Sequence, residues 1–205
     1  MGDFNYESID TVEYDVLREI GNIGAGNATT ALSQMLNIKI DMKVPNVDLL
    51  NFQELPNMFG GPENLIVGIL LTLEGDIDGM MMFMLEKNSA HHIVNVLMGR
   101  SLTSVDEFTD MDKSAMNEIG NIIAGAYLSS VSMLTNMQIT SSVPYMAIDM
   151  AGAILSVPAI EFGKVGDKAL VIKTQITEND VEIDGYFVLI PTIEGYKKIM
   201  TSLGL

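Results

Sequence analysis

Two short segments of the chain carry a carboxylate and a carboxamide at the same spacing. Glu19 precedes Asn22 by three residues, and Glu118 precedes Asn121 by three residues. On a helix, residues three apart are neighbours, so each pair presents a charged acceptor beside a neutral amide that both donates and accepts hydrogen bonds. A single pair of this kind on an exposed helix is ordinary solvated surface. Its occurrence twice is what suggests a function.

An internal repeat contains both pairs. A shift of 99 residues lays residues 15–45 over residues 114–144, and twelve of the 31 aligned positions are identical, against roughly two expected from ordinary composition. Residues 76–80 also match residues 182–186. The sequence therefore predicts a duplicated unit within one domain that spans residues 1–205. Repeat one covers about residues 10–100, and repeat two covers about residues 109–205.

Each repeat is predicted to form a long helix, a strand near a Val-Pro pair, a β-hairpin and a closing helix. The first helix should begin near Asp10 or Thr11, where Asp10-x-x-Glu13 resembles a capping box. Apolar, β-prone runs predict the hairpins and amphipathic runs predict the closing helices. The predicted hairpin strands are 65–73 with 77–85 and 169–176 with 181–190, and the closing helices are 89–98 and 193–203. We expect an α/β (α+β) fold with pseudo-twofold symmetry, an antiparallel sheet and two long exposed helices.

Helical periodicity places the two motif pairs on outward faces. At about 100° per residue, Asp15, Glu19, Asn22 and Gly26 fall within an arc of about 60°. In the second copy the outward positions are Ser114, Glu118, Asn121 and Gly125. The residues expected on the opposite, inward side are Val16, Ile20, Ile23, Gly24, Ala31 and Met35 in copy one, and Ile119, Ile122, Ile123 and Leu134 in copy two.

Glycines inside the predicted helices have two possible explanations. Gly21 and Gly120 cost helix stability, up to about 1 kcal/mol each, so we expect a backbone to approach them closely, from the chain's own sheet or from a partner. A nucleotide-binding loop does not fit the segment that ends at Gly26. Gly26 is followed by Asn27 rather than the lysine of a phosphate loop, and the second copy has Ile123 in place of Gly24.

Composition restricts the class of protein and its partners. The chain is 48% apolar and 19% charged, which indicates a compact fold, and its net charge of −16 disfavours nucleic acid and anionic membranes. The absence of cysteine removes disulfides, thiol nucleophiles and thiolate metal sites. His91 and His92 are adjacent, which is the wrong spacing for a metal face on a helix, and we predict surface positions for both. No secretory signal or membrane span is recognisable, and we expect a soluble, cytoplasmic protein.

The duplicated pattern resembles the CheC family of chemotaxis phosphatases. It stands here as Asp15-x-x-x-Glu19-x-x-Asn22 and as Ser114-x-x-x-Glu118-x-x-Asn121. The resemblance covers essentially the whole chain, including both hairpins, and extends to CheX and to the CheC-like domains of the flagellar switch proteins FliM and FliY. It implies a phosphatase that hydrolyses the aspartyl phosphate of the response regulator CheY.

The resemblance also implies roles for the motif residues. Asn22 and Asn121 would orient the attacking water, much as an amide does in GTPases. Glu19 and Glu118 would pair with the active-site lysine of CheY. Asp15 and Ser114 would support the helix or the contact. We expect no cofactor or metal in this chain, because CheY would supply its own Mg²⁺.

Alternatives and further partners remain open at this point. A non-catalytic module that sequesters CheY, like the flagellar switch domains, is the main alternative function. The resemblance names the receptor deamidase CheD as a second partner. The segment 146–155 differs most between the repeats, so we place CheD there with Asp149 as its contact, while a plain packing helix explains the segment equally well. We expect a monomer.

Overall fold

The computed structural model describes residues 11–101, 107–162, 168–178 and 181–205, and places a similar series of elements in each half of the chain. The first half contains helix α1 (Thr11–Leu36), strand β1 (Asp41–Asn51), a 3-10 helix (Leu55–Phe59), strands β2 (Leu65–Gly75) and β3 (Gly79–Glu86), and helix α2 (Lys87–Leu97). The second half contains helix α3 (Asp110–Thr135), strands β4 (Ile139–Ser141) and β5 (Tyr145–Met150), helix α4 (Ala151–Phe162), strands β6 (Lys168–Glu178) and β7 (Val181–Pro191), and helix α5 (Ile193–Ser202). Both predicted hairpins and both closing helices are confirmed to within a few residues. Asp10, the first member of the predicted capping box, lies outside the described residues.

One antiparallel sheet joins the two halves of the chain. Its order is β1-β6-β7-β3-β2, and β4 and β5 both pair with the outer side of β2. The strands that precede each hairpin therefore pair with the hairpin of the other half, β1 with β6, and β4 and β5 with β2. The central pair is β3 with β7, the second hairpin strand of each half. The predicted mixed α/β fold with an antiparallel sheet is confirmed.

Helices cover both faces of this sheet. Helices α1, α2, α3 and α5 share one apolar core with the sheet, and the 3-10 helix and α4 share a second core on the other face. Strand β3 shows the division, because Met81 and Phe83 belong to the first core whereas Met80, Met82 and Met84 belong to the second. Residues 79–85 of this methionine-rich strand are all buried, and only Glu86 at its end is exposed.

The buried side of α1 is rotated from the one that the sequence predicts. Its buried residues are Leu17, Ile20, Gly21, Gly24, Ala25, Ala28 and Leu32. Val16, Ile23, Ala31 and Met35 are only partly buried. The reason is that α1 packs against α3 as well as the sheet, and Gly24 lies directly on the Tyr127 ring of α3. Leu134 was expected to face inward and is 38% exposed, since Val131 and Thr135 take the inward positions at the end of α3.

The surface prediction for the two histidines is wrong. His91 is 6% exposed and stacks on Phe108, with ring centroids 4.0 Å apart. His92 is partly buried, and its Nε2 lies 3.5 Å from Oε2 of Glu178 on β6. Helix α2 is therefore covered on two sides, by the segment that precedes α3 and by the sheet.

Two helix glycines face the chain's own sheet. A Cβ on Gly21 would lie 3.3 Å from Ile172 and 3.3 Å from Val44, and a Cβ on Gly120 would lie 2.6 Å from Ile69. The close approach comes from the chain's own sheet, as one of the two explanations expected, but side chains make it and not a backbone, so that part of the prediction is wrong. These contacts bring α1 and α3 close to the sheet and fix which face of each helix points away from it.

A buried carboxylate anchors the start of α3. The Asp112 carboxylate accepts the Thr109 N–H at 2.9 Å, and the Thr109 hydroxyl accepts the Asp112 N–H at 3.2 Å. Arg100 donates to Asp112 at 2.8 Å, and Asp112 is 2% exposed. The hydrogen bond from Arg100 lowers the pKa of Asp112 and outweighs burial, which raises it.

Replacing Asp112 with asparagine should lower the free energy of unfolding by about 2 kcal/mol at pH 7, because the negative charge beside Arg100 is lost and one of the two acceptor oxygens becomes an NH2 donor. The folded pKa lies below the unfolded value, so the contribution of Asp112 is complete above the unfolded pKa and disappears as pH falls through the folded pKa. In urea titrations, the difference in unfolding free energy between wild type and Asp112→Asn should therefore become smaller below about pH 4. The exposed neighbour Asp110 is the matched control, and equal losses in Asp110→Asn and Asp112→Asn would contradict the prediction.

Candidate functional site

The first motif pair lies on the face of α1 that points away from the sheet. Glu19 and Asn22 are exposed, whereas Leu17, Ile20 and Gly21 beside them are buried. Within the described residues, neither the Glu19 nor the Asn22 side chain makes a hydrogen bond or an ion pair. The buried neighbours thus fix the direction of both side chains and leave their polar atoms open to another molecule.

The second motif pair has the same placement on α3. Glu118 and Asn121 are exposed, and Ile119 and Gly120 are buried between them. The described residues supply no hydrogen bond or ion pair to either side chain here as well. Ser114, one turn earlier, is exposed. The structure therefore keeps each Glu–Asn pair together, and both helices that carry them lie on the same face of the sheet.

The surroundings of the two pairs differ in charge. In copy one, exposed Asp15 forms an ion pair with Arg18 at 3.9 Å, and the Arg18 guanidinium lies 5.9 Å from the centre of the Tyr14 ring. In copy two, the equivalent of Arg18 is Asn117, whose Oδ1 is buried without a hydrogen-bond partner among the described residues. Sequence reasoning did not single out Arg18, although the three-residue spacing from Asp15 was a usable signal for a helical ion pair.

The chemistry available at each site is positioning rather than covalent catalysis. An amide can hold a water molecule through its donor and its acceptor together, and a carboxylate can pair with a cation. Both groups stand on an exposed helix surface, so a substrate would have to bring its own pocket. Among the described residues, no group of three or more histidine, aspartate or glutamate side chains could hold a metal ion. None of the described helices combines the length and apolarity needed to span a membrane.

The comparisons with known proteins agree with one another. Residues 12–48 match the model of the CheC-like family, and residues 67–162 match the model described as chemotaxis phosphatase CheX. The chain is 36% identical over 203 residues to the protein named CheY-P phosphatase CheC of Bacillus subtilis strain 168, and the alignment covers 97% of each chain. The chain belongs to the CheC family. Its first motif pair lies within the segment that matches the CheC-like model, and its second lies within the segment that matches CheX.

Solved structures show the same fold. The crystal structure of Thermotoga maritima FliY has a TM-score of 0.77 at 24% identity, covering 95% of this CheC family chain and 97% of that one. A FliG–FliM complex from Helicobacter pylori matches with a TM-score of 0.70 at 12% identity, covering 94% of this chain and 100% of that one. The fold is thus shared with flagellar switch proteins, and function has to be argued from the motif residues.

The segment that differs most between the halves forms β5 and α4. Asp149 is exposed near the end of β5, and its carboxylate accepts a hydrogen bond from the adjacent Met150 N–H at 2.8 Å. Helix α4 buries Ile154 and Leu155 against the sheet, while Val157 and Ile160 are 41% and 71% exposed. The first half has only the 3-10 helix at this point. Asp149 is therefore separate from both Glu–Asn pairs, on the face of the molecule that α4 covers.

Proposed function

We propose that this CheC family member accelerates hydrolysis of the aspartyl phosphate of the response regulator CheY. The observation that carries the proposal is the pair of exposed Glu–Asn motifs, whose side chains have no partner among the described residues. The B. subtilis relative bears the name of this activity. Two exposed, unpartnered polar pairs on one face of the sheet suit a protein that completes an active site on another molecule.

The proposed mechanism needs no nucleophile or metal from this chain. An aspartyl phosphate is an acyl phosphate, and hydrolysis requires a water molecule in line with its phosphorus atom. Asn22 or Asn121 would hold that water by accepting one of its hydrogen bonds and donating another. Glu19 or Glu118 would pair with the lysine of CheY and fix the position of the helix against it. The Mg²⁺ that neutralises the phosphoryl oxygens would belong to CheY.

Asp15 and Ser114 have supporting places in this proposal. Each lies four residues before the motif glutamate and is exposed on the same helix face. Asp15 holds Arg18 in an exposed ion pair, which is a weak contact that a stronger partner could replace. Ser114 makes no such pair, so we assign both residues to the contact surface rather than to the reaction.

The experiment that tests the proposal follows the decay of phosphorylated CheY with and without a substoichiometric amount of this protein. A phosphatase turns over, so each molecule of the chain should dephosphorylate many molecules of CheY. A sequestering module of the kind found in flagellar switch proteins would bind CheY in proportion to its own concentration and leave the decay rate unchanged. That second outcome would replace phosphatase activity with sequestration as the function.

We also propose that the deamidase CheD binds the surface formed by Asp149 and the exposed side of α4. Met150, Val157 and Ile160 are 46%, 41% and 71% exposed, and exposed apolar side chains are typical of the centre of a protein interface. The surface occurs in one half only, which suits a partner that binds once per chain. It lies across the sheet from the helices that carry the motif pairs.

Asp149→Lys should weaken CheD binding at least tenfold, because the carboxylate that CheD would cover is replaced by a positive charge. Isothermal titration with CheD measures the affinity, and CheY dephosphorylation in the absence of CheD should be unchanged. Glu74→Lys is the charge-matched control, since Glu74 is exposed at the opposite end of the β2 strand that pairs with Asp149. Equal weakening by both variants would show a general charge effect and remove Asp149 from the interface.

A further inference from the structure

Gly26 and Gly125 are helix glycines for which the described part of the chain provides no packing reason. Gly21, Gly24 and Gly120 pack against the sheet or the neighbouring helix, and a Cβ at any of them would meet an atom within 3.3 Å. A Cβ at Gly26 or Gly125 would meet no atom of the described residues within 4 Å. Both positions are exposed in the middle of 26-residue helices. Their lack of a side chain is therefore not required by the packing of this protein.

An exposed glycine in a helix interior lowers helix stability, because it has more backbone freedom to lose on folding than alanine. Glycine nevertheless stands at this position in both repeats. The repeats have diverged elsewhere on these helices, for example Gly24 corresponds to Ile123 and Ala28 to Tyr127. Gly24, which lies on the Tyr127 ring, has thus not been kept as glycine in the second repeat.

Gly26 and Gly125 each lie four residues after the motif asparagine, which places them one turn further along the same helix face. We propose that they form a gap in each docking surface, called here the glycine gap, into which the backbone of the phosphorylated response regulator packs. The proposal rests on the proposed function and deepens it, since it assigns the contact surface of the same site.

The geometry of the proposed reaction requires the regulator backbone to come close to the helix at the glycine gap. The motif amide has to reach a water molecule at about 3 Å while that water lies in line with the phosphorus atom. An aspartyl side chain is short, so the regulator backbone around it must come into contact with the helix beside Asn22 or Asn121. Atoms in contact are about 3.5–4.0 Å apart, and a methyl group on the helix at this position would hold the two backbones further apart. A gap of about 0.5–1 Å already removes about a quarter to a half of the attraction between atoms in contact, so the docking contact around the glycine is weakened.

The test uses chains with one working site. Gly26→Ala in an Asn121→Ala background should raise the KM for phosphorylated CheY about tenfold or more, with a smaller change in kcat. The same substitution should raise the urea midpoint of unfolding, because alanine is the better helix former at an exposed position. The reciprocal variant, Gly125→Ala in an Asn22→Ala background, should behave in the same way.

A control separates docking from structure. Asn27→Ala in the Asn121→Ala background changes an exposed residue of α1 on another side of the helix and should leave the KM unchanged. An unaltered KM in Gly26→Ala would overturn the glycine gap, and so would a lower urea midpoint with lost activity, which would indicate a structural requirement for glycine.

Binding distinguishes this inference from the proposed function. The Gly26→Ala, Gly125→Ala double variant should bind CheY loaded with beryllium fluoride, a stable mimic of the aspartyl phosphate, at least tenfold more weakly than wild type. If wild type binds this CheY without accelerating phosphate loss, the proposed function fails, and weaker binding by the double variant still supports the gap. Equal binding by wild type and the double variant overturns the gap whatever the activity.

Discussion

Replacing both Asn22 and Asn121 with alanine is expected to abolish the acceleration of CheY dephosphorylation while CheY binding persists. Each asparagine is exposed and without a partner among the described residues, so its loss should leave the fold intact. The proposed contribution of the amide is to hold a water molecule in line, and such positioning is worth roughly a hundredfold or more in rate. Loss at both sites should return phosphate decay to the rate of CheY alone.

The single variants show how the activity is divided between the sites. Asn22→Ala reports the rate of the α3 site, and Asn121→Ala reports the rate of the α1 site. Asn27→Ala serves as the control for removing an exposed amide from the same helix. Decay of radiolabelled phosphoryl-CheY gives the rates, and titration with a stable CheY mimic gives the affinities. Acceleration that survives in the double variant would contradict the mechanism, and binding lost together with activity would make the asparagines contact residues instead.

The sequence predicts those parts of the fold that depend on patterns among residues close together in the chain. Hairpin strands follow alternating or continuous apolar runs with a turn between them, and the sheet contains both hairpins where expected. The long first helix is present from Thr11, where the described residues begin. The outward direction of Glu19 and Asn22 was predicted from helical periodicity alone, because a polar face of about 60° needs no knowledge of what lies on the other side.

The errors come from contacts between distant parts of the chain. Periodicity centred the buried side of α1 on Ile20 and Ile23, but α3 packs against one flank and turns that side towards Ala25 and Ala28. His91 is buried because Phe108, seventeen residues later, stacks on it. No local pattern contains such a pairing, and tertiary packing overrides the helix-surface prediction.

The internal repeat made the candidate site residues predictable from the sequence. Glu118 and Asn121 were selected by comparing one half of the chain with the other, and the repeat replaces part of the information that packing would otherwise supply. Arg18 was missed because it has no counterpart in the second copy, where Asn117 occupies the position. Gly26 and Gly125 were placed on the outward face, but the space around them could be measured only once the helices were packed.

Packing between the two motif helices depends on Tyr127. Its ring is 1% exposed, lies beneath Gly24 of α1, and stacks on Phe187 of β7 with ring centroids 4.2 Å apart. Its hydroxyl is 3.0 Å from the hydroxyl of Thr174, which is fully buried. Burial raises the pKa of Tyr127 to about 12, so the phenol stays protonated at neutral pH. One side chain thus joins α1, α3 and two strands of the sheet.

Tyr127→Ala is expected to lower the free energy of unfolding by about 3–5 kcal/mol, because a large buried ring is removed and the cavity cannot be refilled by a glycine above it. Tyr127→Phe keeps the ring and removes the bond to Thr174, so its loss should be about 1 kcal/mol. Urea unfolding followed by circular dichroism measures both. The comparison between the losses of unfolding free energy in the two variants is the decisive result. Equal losses would assign the stability to the hydroxyl pair, whereas the expected difference shows that the ring itself, packed between Gly24 and Phe187, holds the two site-bearing helices on the sheet.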